Sequence, residues 1–165
     1  MKIKIAFFKG KGSWKNKIIR WWTESRYSHV ELVMPDNFTW ITITPLMSST
    51  VSSRIKTDFD LENWDFVSLD VNEDQLQVIN DFYAETQGCK YDWWGMILSQ
   101  FLPFHIKRRE KWYCSEWIAY ALRISGIIDW KIIKIYDQTD LSPQRLYDII
   151  QLVKDDEYTD KKISN

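Results

Sequence analysis

Apolar and polar side chains alternate from Lys2 to Phe8, the two-residue period of a strand with one face buried. Lys9-Gly10-Lys11-Gly12-Ser13 reads as a turn, and Ser13 is placed to cap a helix over 14–24 that buries Ile18, Ile19, Trp21 and Trp22. Strand patterns return at 28–34 and 38–44, separated by the turn residues Pro35-Asp36-Asn37, and again at 49–56 and 64–71. The period then lengthens. Leu76, Ile79, Phe82 and Tyr83 form the stripe of a helix over 73–87, with Asn72 as its cap and Gly88 as its stop. A second helix is expected over 91–102, ended by Pro103, and a basic loop over 105–111. The next helix covers 114–125, with Trp117, Ile118, Ala121 and Leu122 on its apolar side and Gly126 closing it. A short strand at 131–136 and a final helix opened by Ser142-Pro143 complete the pattern. From Lys154 the chain is charged and expected to fray. This order predicts an α+β fold, with a single domain over 1–153 and a charged tail over 154–165.

Composition narrows the partners. The 22 basic and 23 acidic side chains give a formal charge of -1 over 165 residues, so no nucleic-acid partner is expected. The opening Met-Lys-Ile-Lys-Ile-Ala-Phe-Phe is too charged for a signal peptide. The apolar stretch over 93–104 is broken by Ser99, Gln100 and Pro103, so no transmembrane segment is expected either. A soluble, cytoplasmic protein is the expectation, and there Cys89 and Cys114 are free thiols rather than a disulfide. The two cysteines and two histidines lack zinc-ligand spacing, and the lone Gly10-Lys11-Gly12 is weak as a phosphate loop; no metal and no cofactor are expected. Ten tryptophans suggest a core and groove built of large rings, or else a surface that meets lipid or a partner.

The candidate chemistry lies in Trp112-Tyr113-Cys114-Ser115-Glu116-Trp117. A thiol in the first turn of a helix meets the positive end of the helix dipole and unpaired backbone N–H groups, which favour thiolate and could hold an oxyanion. His29 stands in a predicted strand, where alternation puts Glu31 on the same face and Val30, Leu32 and Met34 on the other. Cys114 as nucleophile, His29 as base and Glu31 orienting the imidazole would make a thiol hydrolase or acyltransferase. The plainer readings are a small buried cysteine, a strand histidine with its hydrogen bonds satisfied, and a salt bridge from Glu31 to Arg26 or Arg20. His105, in the basic loop, is the rival base. Tyr27 and Tyr113 are either phenol donors near the site or packing residues.

Ser28-His29-Val30-Glu31 followed much later by Tyr113-Cys114-Ser115-Glu116 resembles the circularly permuted NlpC-type papain-like superfamily, in its YiiX-like branch that includes relatives of lecithin–retinol acyltransferase. In that branch the His strand precedes the Cys helix. Ile18-Ile19-Arg20-Trp21-Trp22-Thr23 and Tyr91-Asp92-Trp93-Trp94-Gly95 share in the resemblance, which spans roughly residues 3–125. It implies an antiparallel sheet packed against helices that include the nucleophile helix, with Cys114 as nucleophile and His29 as general base. It also implies a polar third residue about a dozen positions after the histidine. That region offers threonines, so Thr42 ranks behind Glu31. Glu116 matches a polar position that supports the helix start.

The expected substrate is an acyl- or peptide-bearing molecule with an amide, ester or thioester carbonyl. Trp93 and Trp94, with Ile97, Leu98, Phe101 and Leu102, make a helix apolar nearly all round, suited to line a groove. Lys107, Arg108 and Arg109 could meet an anionic head group there, and peripheral contact with lipid stays open. The alternative is a binding or inhibitory protein on the same scaffold, with little or no catalysis.

Overall fold

The computed structural model describes residues 1–10, 26–43, 50–91, 111–129 and 141–163, the side chains at 91, 111 and 156–163 excepted. The helix expected over 14–24, the strand over 131–136, and Arg20, Trp93, Trp94, His105, Lys107, Arg108 and Arg109 lie outside the described residues.

Five antiparallel strands form one sheet: β1 Lys2–Phe8, β2 His29–Val33, β3 Thr39–Ile43, β4 Val51–Ile55 and β5 Trp64–Asp70, in the order β4-β3-β2-β1-β5. The β2–β3 turn closes on Asn37, whose φ of 63° is the left-handed conformation that asparagine tolerates. Asp36 accepts hydrogen bonds there from the backbone N–H groups of Phe38 and Thr39.

Helix α1, Glu73–Thr86, follows β5. Its capping box is complete, with the Gln75 N–H donating to Asn72 and the Asn72 N–H donating to Gln75. Gly88 and Gly126 take positive φ just after α1 and α2, as helix stops. Helix α2, Cys114–Ile124, buries Trp117, Ile118, Ala121 and Leu122 as its stripe predicts, and packs across β2. Helix α3, Pro143–Ile163, opens with the Arg145 N–H donating to Ser142 Oγ.

Three details differ from expectation. Tyr91 does not begin a helix: Lys90–Tyr91 (β6) pairs in parallel with Lys111–Trp112 (β7), which also takes Lys111 out of the basic loop. Two-residue strands carry no periodicity to detect. The segment from Lys154 does not fray at once but continues α3 to Ile163, since it holds neither glycine nor proline to end the helix.

Strand alternation divides the core in two. Ile3, Ile5, Phe7, Val30 and Leu32 face the helices in the larger cluster. Ala6, Val33, Trp40 and Trp64 face the other way, packed with Phe8, Phe59 and Phe66. His29 pairs with Phe8 and Glu31 with Ala6, so both belong to this second, aromatic face. His29 is also the first residue of its strand, so a group arriving from the helical layer can reach its ring at the end of the sheet.

Candidate active site

The start of α2 is tied down on several sides. Ser115 Oγ donates to the Leu141 carbonyl at 2.6 Å, joining the first turn to the segment that precedes α3. One turn on, Trp117 Nε1 donates to Thr86 Oγ1 at 2.9 Å, joining α2 to the end of α1. Phe82 stacks on Trp117, with ring centroids 5.1 Å apart, and meets Trp112 edge-on at 5.5 Å. These contacts fix where the helix begins, and so where Cys114 sits. The capping position belongs to Tyr113, whose side chain makes no cap hydrogen bond. The Tyr113 side chain itself therefore takes none of the first-turn N–H groups.

Cys114, only 6% exposed, lies within hydrogen-bonding contact of His29. On the far side of the ring, Nε2 is 3.1 Å from Glu31 Oε1 and 3.1 Å from Thr42 Oγ1. An Nε2–H shared between those oxygens leaves Nδ1 as the ring nitrogen for the sulfur. His29 keeps 17% of its side chain accessible, so the pair is sheltered but reachable. Trp64 meets the imidazole edge-on at 6.4 Å.

β3 pairs with β2 at Leu32↔Ile41 and Val33↔Trp40, and among the described residues the ladder does not extend back to Val30. The Val30 backbone N–H is directed at the Cys114 sulfur, together with that of Ser115. Burial alone would raise the thiol pKa. The His29 charge, the His29 hydrogen bond and these two backbone donors outweigh it and hold Cys114 below the usual thiol range. His29 moves the opposite way: burial disfavours its charge, but the Cys114 sulfur and then Glu31 lift its pKa from 6.5 to about 10. Both shifts favour a thiolate beside an imidazolium.

Glu31 is 2% exposed. Burial would raise its pKa, but His29 first and Arg54 second keep it ionised, below the usual carboxylate range. Arg54 grips it with a fork: Nη2 is 2.8 Å from Oε1 and 2.9 Å from Oε2, and Nε is 3.2 Å from Oε2. Of the two basic partners considered for Glu31 from sequence, Arg26 is engaged elsewhere. Arg26 pairs with Asp65 at 3.2 Å, and Arg20 lies outside the described residues. Arg54 escapes detection because it is two strands away, and only the β2-β3-β4 register brings it to Glu31. An arginine inside a predicted strand was the one available hint.

Tyr27 is fully buried and packs on Phe7 and Tyr147. Its hydroxyl donates to Asp65 Oδ2 at 2.8 Å, in a knot that also holds Lys9 at 2.6 Å from Asp65 Oδ1. Its phenol is thus engaged by Asp65. Tyr113 precedes the cysteine as helix cap, and Glu116 lies in the first turn, where a negative charge suits the dipole. Cys89 and Cys114 are both free thiols. Among the described residues no His, Cys, Asp and Glu cluster could hold a metal ion, and no helix is long and apolar enough to cross a membrane.

No family model, curated protein or solved structure matches this chain.

Proposed function

We propose that the protein is a cysteine hydrolase or acyltransferase acting on an amide, ester or thioester carbonyl, on a permuted papain-like scaffold. The contact between Cys114 and His29 carries the reading, because the imidazole is also held from behind by Glu31 and Thr42. A histidine with both nitrogens engaged in this way is oriented for proton transfer at the sulfur side.

The Cys114 thiolate attacks the carbonyl carbon, and the carbonyl electron pair moves to oxygen. On this reading, backbone N–H groups at the start of α2 hold that oxyanion. Collapse of the intermediate breaks the bond to the leaving group, which takes the proton from the His29 imidazolium. The acyl group now rests on sulfur. Neutral His29 then accepts a proton from water, or from a second acceptor, as it attacks the thioester and regenerates the thiolate–imidazolium pair. Glu31 is the first choice for the residue that orients His29, with Thr42 beside it at the same distance from Nε2. A cytoplasmic location, expected from the sequence, would favour lipid acyl groups, isopeptides or thioesters as substrates.

The test is the pH dependence of iodoacetamide labelling at Cys114. Labelling is expected to persist well below the ordinary thiol range, about 8.5, and to fall about tenfold or more near pH 6 in His29→Ala. An ordinary thiol profile, indifferent to His29→Ala, would overturn the proposal.

A further inference from the structure

Among the described residues, Glu31 has two positive neighbours of different kinds. The His29 charge must come and go during turnover, whereas that of Arg54 is permanent. When His29 has given its proton to the leaving group, a carboxylate only 2% exposed faces a neutral ring. A buried carboxylate with no positive partner is costly and tends to hold a proton nearby.

We propose that Arg54 is a positioning residue of the site, whose guanidinium keeps Glu31 ionised and aimed at Nε2 while His29 is neutral. The inference rests on the thiol-hydrolase reading. The fork of Nε and Nη2 occupies both carboxylate oxygens, which fixes the carboxylate plane as well as its charge. Arg54 is itself steadied above the fully buried Trp40 ring, 5.8 Å from its centroid. Only 29% of its side chain is accessible, so its charge is poorly screened. Without it the His29–Glu31 pair would cling to its proton, and the imidazolium would be a weaker acid toward the leaving group.

Among the described residues, the groups that face His29 are Cys114 from α2, Glu31 from its own strand, Thr42 from β3 and Trp64 from β5, with Phe8 opposite on β1. Arg54 acts on it from β4 through Glu31. The Lys56 ammonium lies over the Trp64 ring, 5.0 Å from its centroid, and is untouched by the substitution.

The test uses Cys114→Ala as parent, which removes the thiolate and any dependence on catalysis. The His29 ring is followed by imidazole NMR across pH, with His105→Gln to assign the second histidine. Adding Arg54→Met is expected to raise the His29 pKa by about one pH unit. An unchanged His29 titration in a folded Arg54→Met protein, even one with a lowered melting temperature, overturns the proposal: Arg54 would then only clamp β4 to β2. Should Arg54→Met not fold, Arg54→Gln is compared with Arg54→Lys. A rise with Gln and none with Lys is expected, and equal values overturn it. Labelling of Cys114 in the wild-type protein is a separate measurement, so failure of the hydrolase reading would be told apart.

Discussion

Replacing Glu31 with glutamine removes one charge from the centre of the site and almost no volume. The carboxylate accepts from Arg54 Nε, Arg54 Nη2 and His29 Nε2 on two oxygens, at 2.8 to 3.2 Å. A glutamine keeps one oxygen and turns an NH2 group toward donors. At least one charge-assisted hydrogen bond is lost, worth about 1.5–3 kcal/mol. Two positive groups also lose their common counter-charge, and breaking a buried pair costs about 3–5 kcal/mol. Arg54 is 29% accessible and can recover some hydration, which lowers the sum. The expected loss is about 2–3 kcal/mol near pH 7, a fall in melting temperature of about 5–10 °C for a domain of this size.

The pH dependence is the sharper part. The folded-state pKa of Glu31 lies below its ordinary 4.5, so its contribution is complete above that value and lost as pH falls through the lower one. The gap between wild type and Glu31→Gln in urea unfolding should therefore hold from about pH 7 to about pH 5 and narrow progressively as pH falls below 4.5. On the alkaline side, the His29 pKa is raised from 6.5 to about 10, so its share is complete below the first value and lost as pH passes the second. A gap under about 0.5 kcal/mol near neutrality, or one that does not narrow in acid, would refute the ionised Glu31 described above.

Two further expectations concern α1 and its tie to α2. Asn72→Ala removes the side-chain half of the α1 capping box and should cost about 1 kcal/mol in denaturant unfolding, leaving Cys114 labelling unchanged. Trp117→Phe removes the indole donor to Thr86 and leaves a void beside Phe82. A loss of about 2–3 kcal/mol is expected, with faster hydrogen exchange in the first turn of α2; exchange confined to α1 would show that the tie does not position the helix.

What was legible in the chain was local. Alternation marked the five strands, Asn72 and Ser142 marked helix starts, and Gly88 and Gly126 marked stops, because each of these signals acts within a turn or a strand length. The shared face of His29 and Glu31 was legible for the same reason. Arg54 was not, since its meeting with Glu31 depends on the register of two successive strand pairs. Nor was the tie from Ser115 to the Leu141 carbonyl, which joins segments 26 positions apart. The backbone donor at Val30 is subtler still: it follows from where, among the described residues, β3 stops pairing with β2, which no residue type announces.

His29 opens the second strand and Cys114 opens the second helix, with all of β3, β4, β5 and α1 between them along the backbone. The shortest stretch that holds both residues runs from His29 to Cys114, about half of the chain. On the proposed reading, a chain in which α2 has not docked on β2 carries an ordinary thiol, because Cys114 is then apart from His29. On that reading the rate at which Cys114 is captured in the purified protein, told apart from Cys89 by peptide mapping, reports whether α2 is docked on β2.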